Sequence, residues 1–204
     1  MNFRSITSLV LLLSGAACLP AATISMSGNF TADDNVVLIP FTVALNGAVT
    51  IQTSSFANGS VGFEPVLTLY DGLGNLFLQD ATGGTTPGGC GLRGIDSTSG
   101  FCLDAVISAL LNAGSYTLAL TEWDNIPGGP TLADGFPQTG NGNFTGSEFG
   151  PGSGSFLLFN GSQRTSAWAL SIDGADVPEP ATFGLACAAL IALTAAGRRS
   201  SARK

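Results

Sequence analysis

Almost every residue of this chain that could do chemistry is a carboxylic acid. There is no histidine at all, and residues 22 to 177 contain no lysine. Nucleophilic arrangements of the Ser-His-Asp, Cys-His or Ser-Lys kind are therefore excluded from that stretch, and a zinc site lacks its imidazoles. Paired carboxylates, the groups used in glycoside hydrolysis, remain. Glu122 and Asp124 in "TEWDN" stand two apart at the end of an apolar run, a spacing that puts both on one face of a strand. The same neighbourhood suits a hard cation, because Ca2+ takes carboxylate and carbonyl oxygens from acidic, glycine-rich loops. Glu122, Asp124, Asn125 and Asp134 around "TEWDNIPGGPTLADG" form one candidate ligand set, and Asp71, Asn75 and Asp80 a second; neither has EF-hand spacing. Asp and Asn also close turns through local hydrogen bonds, which is the competing use of these positions. Trp123 lies beside the acids at a strand end and is the candidate platform for a sugar ring, whereas Tyr116 and Trp168 fall inside alternating runs and read as core.

Between Ala22 and Val177 thirteen acids face two bases, Arg93 and Arg164, a net charge of −11. Such a surface repels phosphate backbones, so no nucleic-acid partner is expected; cations, neutral glycans or basic surfaces are. Net negative charge also serves solubility. Of the four cysteines, Cys18 and Cys187 lie in apolar segments near the two ends. Cys90 and Cys102 bracket the Gly- and Ser-rich "CGLRGIDSTSGFC", whose ends can meet, and two cysteines are too few for a metal site. A structural disulfide is the expectation if the chain is exported.

The elements that must position these groups read as strands. Short runs rich in Val, Ile, Leu, Thr and Phe alternate with Gly, Asn, Asp and Pro clusters. Strands are predicted over Thr23–Phe30, Val36–Leu45, Ala48–Ser55, Pro65–Asp71, Asn75–Ala81, Asp104–Leu111, Gly114–Trp123, Ser155–Asn160 and Ser166–Gly174. Tyr116, Leu118 and Leu120 share one face and Thr117, Ala119 and Thr121 the other, as in a sheet with one side on a core and one in solvent. "YDGLGN" is hairpin chemistry. Two packed antiparallel sheets, a jelly-roll-like β-sandwich over residues 23–176, cover the apolar faces most economically. The Gly- and Pro-rich segment Asp124–Gly154 stands out as a long connection, with Phe136, Phe144 and Phe149 available to pin it.

Residues 1–22 have the form of a secretory signal: Arg4, then the apolar Ile6 to Leu13, then small residues at Ala16, Ala17, Ala21 and Ala22. At the other end, Val177-Pro178-Glu179-Pro180 breaks any regular structure. Ala181 to Gly197 is uncharged, mostly apolar and near the length of a bilayer-spanning helix, and Arg198, Arg199, Arg203 and Lys204 follow it. The expected organisation is thus a signal helix, a sandwich and a tail at 177–204 made of a proline-containing linker, a transmembrane helix and a basic end.

The order of Pro-Glu-Pro at Pro178, Glu179 and Pro180, an apolar helix and closing arginines Arg198 and Arg199 resembles the PEP-CTERM sorting signal of exported bacterial proteins. The resemblance implies a transient inner-membrane anchor, recognised at Pro-Glu-Pro and cut by an exosortase-type enzyme, in bacteria that build exopolysaccharide matrices. A second resemblance covers the body. "FEPVLTLYDGLGNLFLQDATGG" (Phe63–Gly84) with "LNAGSYTLALTEWDN" (Leu111–Asn125) is similar to the bacterial pre-peptidase C-terminal β-sandwich, with Gly114, Tyr116 and Leu118 on its later motif. It implies a non-catalytic jelly-roll module of secreted proteins, some of which bind calcium or polysaccharide. Glu64 and Pro65 stand where that family has an Asp-x-Asp start. The expectation is an exported, non-enzymatic surface or matrix protein that binds glycan or calcium, the alternative being a carboxylate-based carbohydrate-active hydrolase.

Overall fold

The computed structural model describes residues 22–57, 61–81, 90–152 and 154–176. Residues 1–21 and the tail from residue 177, with the signal helix and transmembrane helix expected in them, lie outside the described residues. Among the described residues no helix is long and apolar enough to cross a membrane.

Eight strands follow in chain order: β1 (Ala22–Asn29), β2 (Val37–Val43), β3 (Gly47–Thr53), β4 (Pro65–Tyr70), β5 (Leu76–Asp80), β6 (Val106–Leu111), β7 (Gly114–Glu122) and β8 (Ala167–Ala175). They form two antiparallel four-stranded sheets, ordered β1-β8-β3-β6 and β2-β7-β4-β5. Every connection crosses between the sheets except the β4–β5 hairpin, which is the connectivity of an eight-stranded jelly roll. In that hairpin Asp71 accepts the amides of Leu73 and Asn75 at 2.9 Å each, and Gly74 takes a φ of 83° that a side chain would resist.

Period-two alternation builds the core. Ile39, Phe41 and Val43 of β2, Val49 and Ile51 of β3, and Trp168, Leu170 and Ile172 of β8 point inward. They join Leu67 and Leu69 of β4, Ile107 and Leu111 of β6, and Tyr116, Leu118 and Leu120 of β7 in one cluster between the sheets. Each fully buried Leu, Ile or Phe here stabilises the fold by about 1.5–3 kcal/mol. Gly28 faces Trp168 across the β1–β8 pair, and a Cβ there would come within 2.7 Å of the indole ring.

Two expectations change. The outer faces of β4 and β7 are not solvated: β4 is buried throughout, and Ala119 and Thr121 of β7 are both about 1 % exposed. The β7–β8 connection folds back over them. Leu76 donates its amide to Pro130 O at 2.7 Å and Leu132 its own to Gly74 O at 2.8 Å, so that Tyr70, Ala119 and Phe136 form a second cluster with Val36, Leu76 and Leu132. This connection contains a short 3-10 turn (Leu132–Asp134) and a one-turn helix, α1 (Phe144–Glu148); Phe136 and Phe144 are buried and Phe149 half-buried, as pins. The second change is Ser155–Asn160, which is not a strand. It is irregular backbone with a single bridge, Leu157 to Gln163, because its amides are taken by side chains: Phe156 N reaches Asp33 Oδ1 at 2.8 Å and Leu157 N reaches Thr145 Oγ1 at 3.1 Å.

The register places the two ends of the sandwich. Ala22 pairs with Ala175, Gly47 with Leu111 and Val43 with Gly114. One end therefore carries the start of β1, the finish of β8 and the turns at 44–46, 71–75 and 112–113. The connections after β1, β3, β5 and β7 gather at the other, the loop end. There Cys90 and Cys102 are bonded, with their Cα atoms 5.6 Å apart. The loop they close is held from inside by Asp96, which accepts the Ser99 amide at 2.9 Å and its hydroxyl at 2.6 Å, and by Arg93, which pairs with Asp80 and donates Nε to Asp104 O at 2.7 Å. Replacing both cysteines with serine is expected to lower unfolding stability by about 3 kcal/mol, read as a reduced urea midpoint.

Candidate functional site

The acids marked in the sequence sit mainly at the loop end, where β7 stops. Glu122 is its last residue and opposes Pro65 of β4; beyond it Trp123 N donates to Glu64 O at 3.0 Å and Asn125 N to Glu122 O at 2.7 Å. By the alternation of β7 the Glu122 side chain lies on the inward face with Tyr116, Leu118 and Leu120. The residue is 1 % exposed, and its Oε2 is buried without a hydrogen-bond partner. Burial, with the nearby charges of Asp33 and Glu64, pushes the Glu122 carboxyl well above its ordinary value, against a smaller opposing pull from Arg164. Glu64 is also buried, between Phe63 and Pro65, and burial raises it to about 7. Glu122 is thus an interior acid whose charged form is disfavoured, and it does not share a face with Asp124, which is half-buried in the following turn.

Asp33 and Asp34 supply the clasp that holds the long connection here. Asp33 Oδ2 accepts the Thr145 amide at 3.1 Å and the Thr145 hydroxyl, while Oδ1 accepts Phe156 N. Burial raises the Asp33 carboxyl, and these donors oppose the rise. Asp34 Oδ2 accepts Gly140 N at 2.9 Å and Gly142 N at 3.1 Å. Asn125 is fully buried; its Nδ2 donates to Asp34 O at 3.2 Å and its Oδ1 accepts Gln138 N at 3.1 Å.

Arg164 holds the opposite side of this end. Its Nε donates to Gly62 O at 2.9 Å, Nη2 to Phe56 O at 2.8 Å and Nη1 to Asp96 at 3.3 Å, with its plane 4.0 Å above the Phe56 ring. Burial pushes Asp96 up, but Ser99 and Arg164 outweigh it and hold that carboxyl below its ordinary value. Asp104 accepts Thr53 Oγ1 at 2.9 Å and the Phe56 and Ala57 amides at 3.1 Å each.

Of the four residues read as calcium ligands, Glu122, Asp124 and Asn125 are neighbours and Asp134 is elsewhere. Its carboxylate accepts the Thr131 amide and hydroxyl at 2.8 Å each, in a turn bridged to Asn75 at the opposite end of the sandwich. In the second set Asp71 serves the hairpin turn, and Asp80 pairs with Arg93 and accepts Val106 N at 2.7 Å. Among the described residues no three His, Cys, Asp or Glu come together as a group that could hold a metal ion. Tyr116 and Trp168 are core residues, as read. Trp123 is half-buried and stacks on Phe149, centroids 5.6 Å apart and planes at 30°. Glu148 lies beside this pair: burial raises its carboxyl, and the charge of Asp124 adds to the rise. An aromatic pair flanked by two acids is thus the partly open feature at the end of β7.

Sequence reasoning passed over Asp33, Asp34, Glu64, Asp104 and Arg164. A usable signal was present: Glu64 is enclosed by Phe63, Pro65 and Val66, and an acid inside an apolar run is an acid that goes inside with it.

Residues 176–200 match the PEP-CTERM protein-sorting motif, so the chain carries that motif directly after β8. None of the curated proteins compared with the chain matches it. Among solved structures, the pre-peptidase C-terminal domain of a collagenase from Bacillus anthracis is similar at 13 % identity, over 76 % of this chain and 90 % of that one, with a TM-score of 0.36.

Glu64 and Glu122 bind protons more tightly folded than unfolded, so stability falls as pH rises from about 4.5 through 7 and beyond. The Glu64 shift alone, from 4.5 to about 7, corresponds to about 3 kcal/mol. Urea unfolding at pH 5 and pH 8 is expected to show wild type weaker at pH 8, and Glu122→Gln to flatten the slope and exceed wild type at pH 8. Arg164→Met, which strands Asp96 and removes the caps on Gly62 O and Phe56 O, is expected to cost about 3–5 kcal/mol in the same assay.

Proposed function

We propose that this is an exported protein, held briefly in the inner membrane and processed by an exosortase-type enzyme. It is delivered to the cell surface or an exopolysaccharide matrix, where its disulfide-closed sandwich serves as a non-enzymatic module contacting glycan, calcium or both. The observation that carries the reading is the sorting motif at 176–200, which begins on the residue after the last strand. The bonded Cys90–Cys102 pair supports an oxidising destination.

For ligand contact, the Trp123–Phe149 pair with Asp124 and Glu148 supports a glycan platform that also attracts cations. Both arginines of the body are engaged internally, which leaves its outer surface to acids and supports a cationic or neutral partner. Against the carboxylate-based hydrolase stands the interior position of Glu122, which offers no reach to a polymer.

The processed protein isolated from its host is expected to end within or close to Pro178–Pro180, with no free thiol, in the surface or matrix fraction. Changing Pro178, Glu179 and Pro180 to alanine is expected to leave an uncut precursor in the membrane. Full-length chain in the cytosol with reduced Cys90 and Cys102 overturns the reading. For the ligand, Trp123→Ala is expected to weaken co-sedimentation with host exopolysaccharide roughly five-fold, the worth of about 1 kcal/mol of ring contact. A higher melting temperature in CaCl2 than in EDTA reports a bound cation.

A further inference from the structure

We propose that the end of the sandwich from which the sorting tail leaves rests on a phospholipid bilayer, with Leu45, Leu73 and Leu110 reaching into it. This rests on the reading of the tail as a membrane anchor.

The three leucines are the most exposed large apolar side chains among the described residues, at 74, 89 and 82 %. Single exposed leucines on a protein surface are ordinary. Their shared location is not, because they come from three separate parts of the chain. Leu45 is in the β2–β3 turn, Leu73 at the tip of the β4–β5 hairpin and Leu110 one residue from the finish of β6. The register brings all three to one end: Asn46 Oδ1 accepts Ala113 N at 2.7 Å, Leu110 pairs with Ala48, and a Cβ on Gly72 would lie 3.0 Å from Ser115 O. No core cluster includes any of them.

The sorting motif starts at this same end. Asp176, its first residue, is bridged to Thr42, donates its amide to Thr42 O at 2.9 Å and accepts Ala44 N on its carboxylate, one residue from Leu45. Only Val177 to Pro180 separates that fixed point from the uncharged run that begins at Ala181. Fully extended, four residues span at most about 14 Å, roughly twice the polar headgroup layer of one leaflet, which keeps the body within several ångströms of the headgroups. While the run is in the membrane, the turns at 44–46, 71–75 and 112–113 are therefore at the lipid surface. The acids at this end are Asp71, Asp134, Asp173 and Asp176, and each has a local donor: the Leu73 and Asn75 amides, the Thr131 amide and hydroxyl, the Thr23 hydroxyl and the Ala44 amide. Their charge suits a zwitterionic leaflet rather than an anionic one. Exposed leucines on turns beside a membrane anchor add apolar contact at the interface. They also set the orientation of the body, with the loop end and the Trp123–Phe149 pair facing away.

The test uses the full chain reconstituted in phosphatidylcholine vesicles, ordinary or with brominated acyl chains, which quench tryptophan only on contact. Leu45→Trp, Leu73→Trp and Leu110→Trp are compared with Phe159→Trp at the loop end and with wild type, whose Trp123 and Trp168 set the background. The expected result is loss of the added emission in brominated lipid for the three leucine positions and none for Phe159→Trp. If the protein floats with the vesicles and the three positions are quenched no more than Phe159→Trp, the bilayer contact is wrong and the anchor stands. If the protein does not float with the vesicles, the anchor reading fails and the contact fails with it.

Discussion

The loop end of this sandwich depends on one positive charge. Arg164 is buried among acids, and its guanidinium is shared between two backbone carbonyls, a carboxylate and an aromatic face. Those partners belong to the β3–β4 connection and the disulfide-closed loop, while Arg164 itself precedes β8. Three excursions of the chain are thus joined through one side chain whose planar fork matches their geometry. A lysine could not reach all of them. The same charge moderates the acids around it, lowering the cost of ionising Asp104 and Glu122 and adding to the Ser99 hydrogen bonds that keep the Asp96 carboxyl below its ordinary value.

Across the same end the carboxylates of Asp33 and Asp34 do for the β7–β8 connection what Arg164 does for the others. They collect amides that have no ladder to join, which is why a Gly- and Pro-rich segment of this length can hold a fixed shape over β4 and β7. The result is an end organised by buried charge and an opposite end made of short turns. Between the two ends the space between the sheets is filled by one apolar cluster.

How far the sequence revealed this follows from the range of each interaction. Alternation is local, so all eight strands were legible to within a few residues, as were the core positions of Tyr116 and Trp168. The Cys90–Cys102 bond was legible because few alternatives exist for two nearby cysteines. The solvated face expected for Thr117, Ala119 and Thr121 was wrong in part because the cover comes from a segment more than ten residues away with no periodic pattern. Ser155–Asn160 has the composition of a strand, but Asp33 and Thr145 took its amides, and nothing near it in sequence announces that. Glu122 and Asp124 looked like a pair because a strand was assumed to continue past Glu122; the turn at Trp123 separates them. Asp134 looked like a ligand and is a capping residue for Thr131.

The strand that runs into the tail is not an edge strand. β8 lies between β1 and β3 and is hydrogen-bonded on both sides, and beyond its last residue Asp176 makes one more bridge, to the neighbouring sheet. A pull on residue 177 acts along the strand axis and loads both ladders in shear, many bonds at once, instead of unzipping one from its end. A body tethered this way transmits force from its attachment point to both sheets before any part of it peels away.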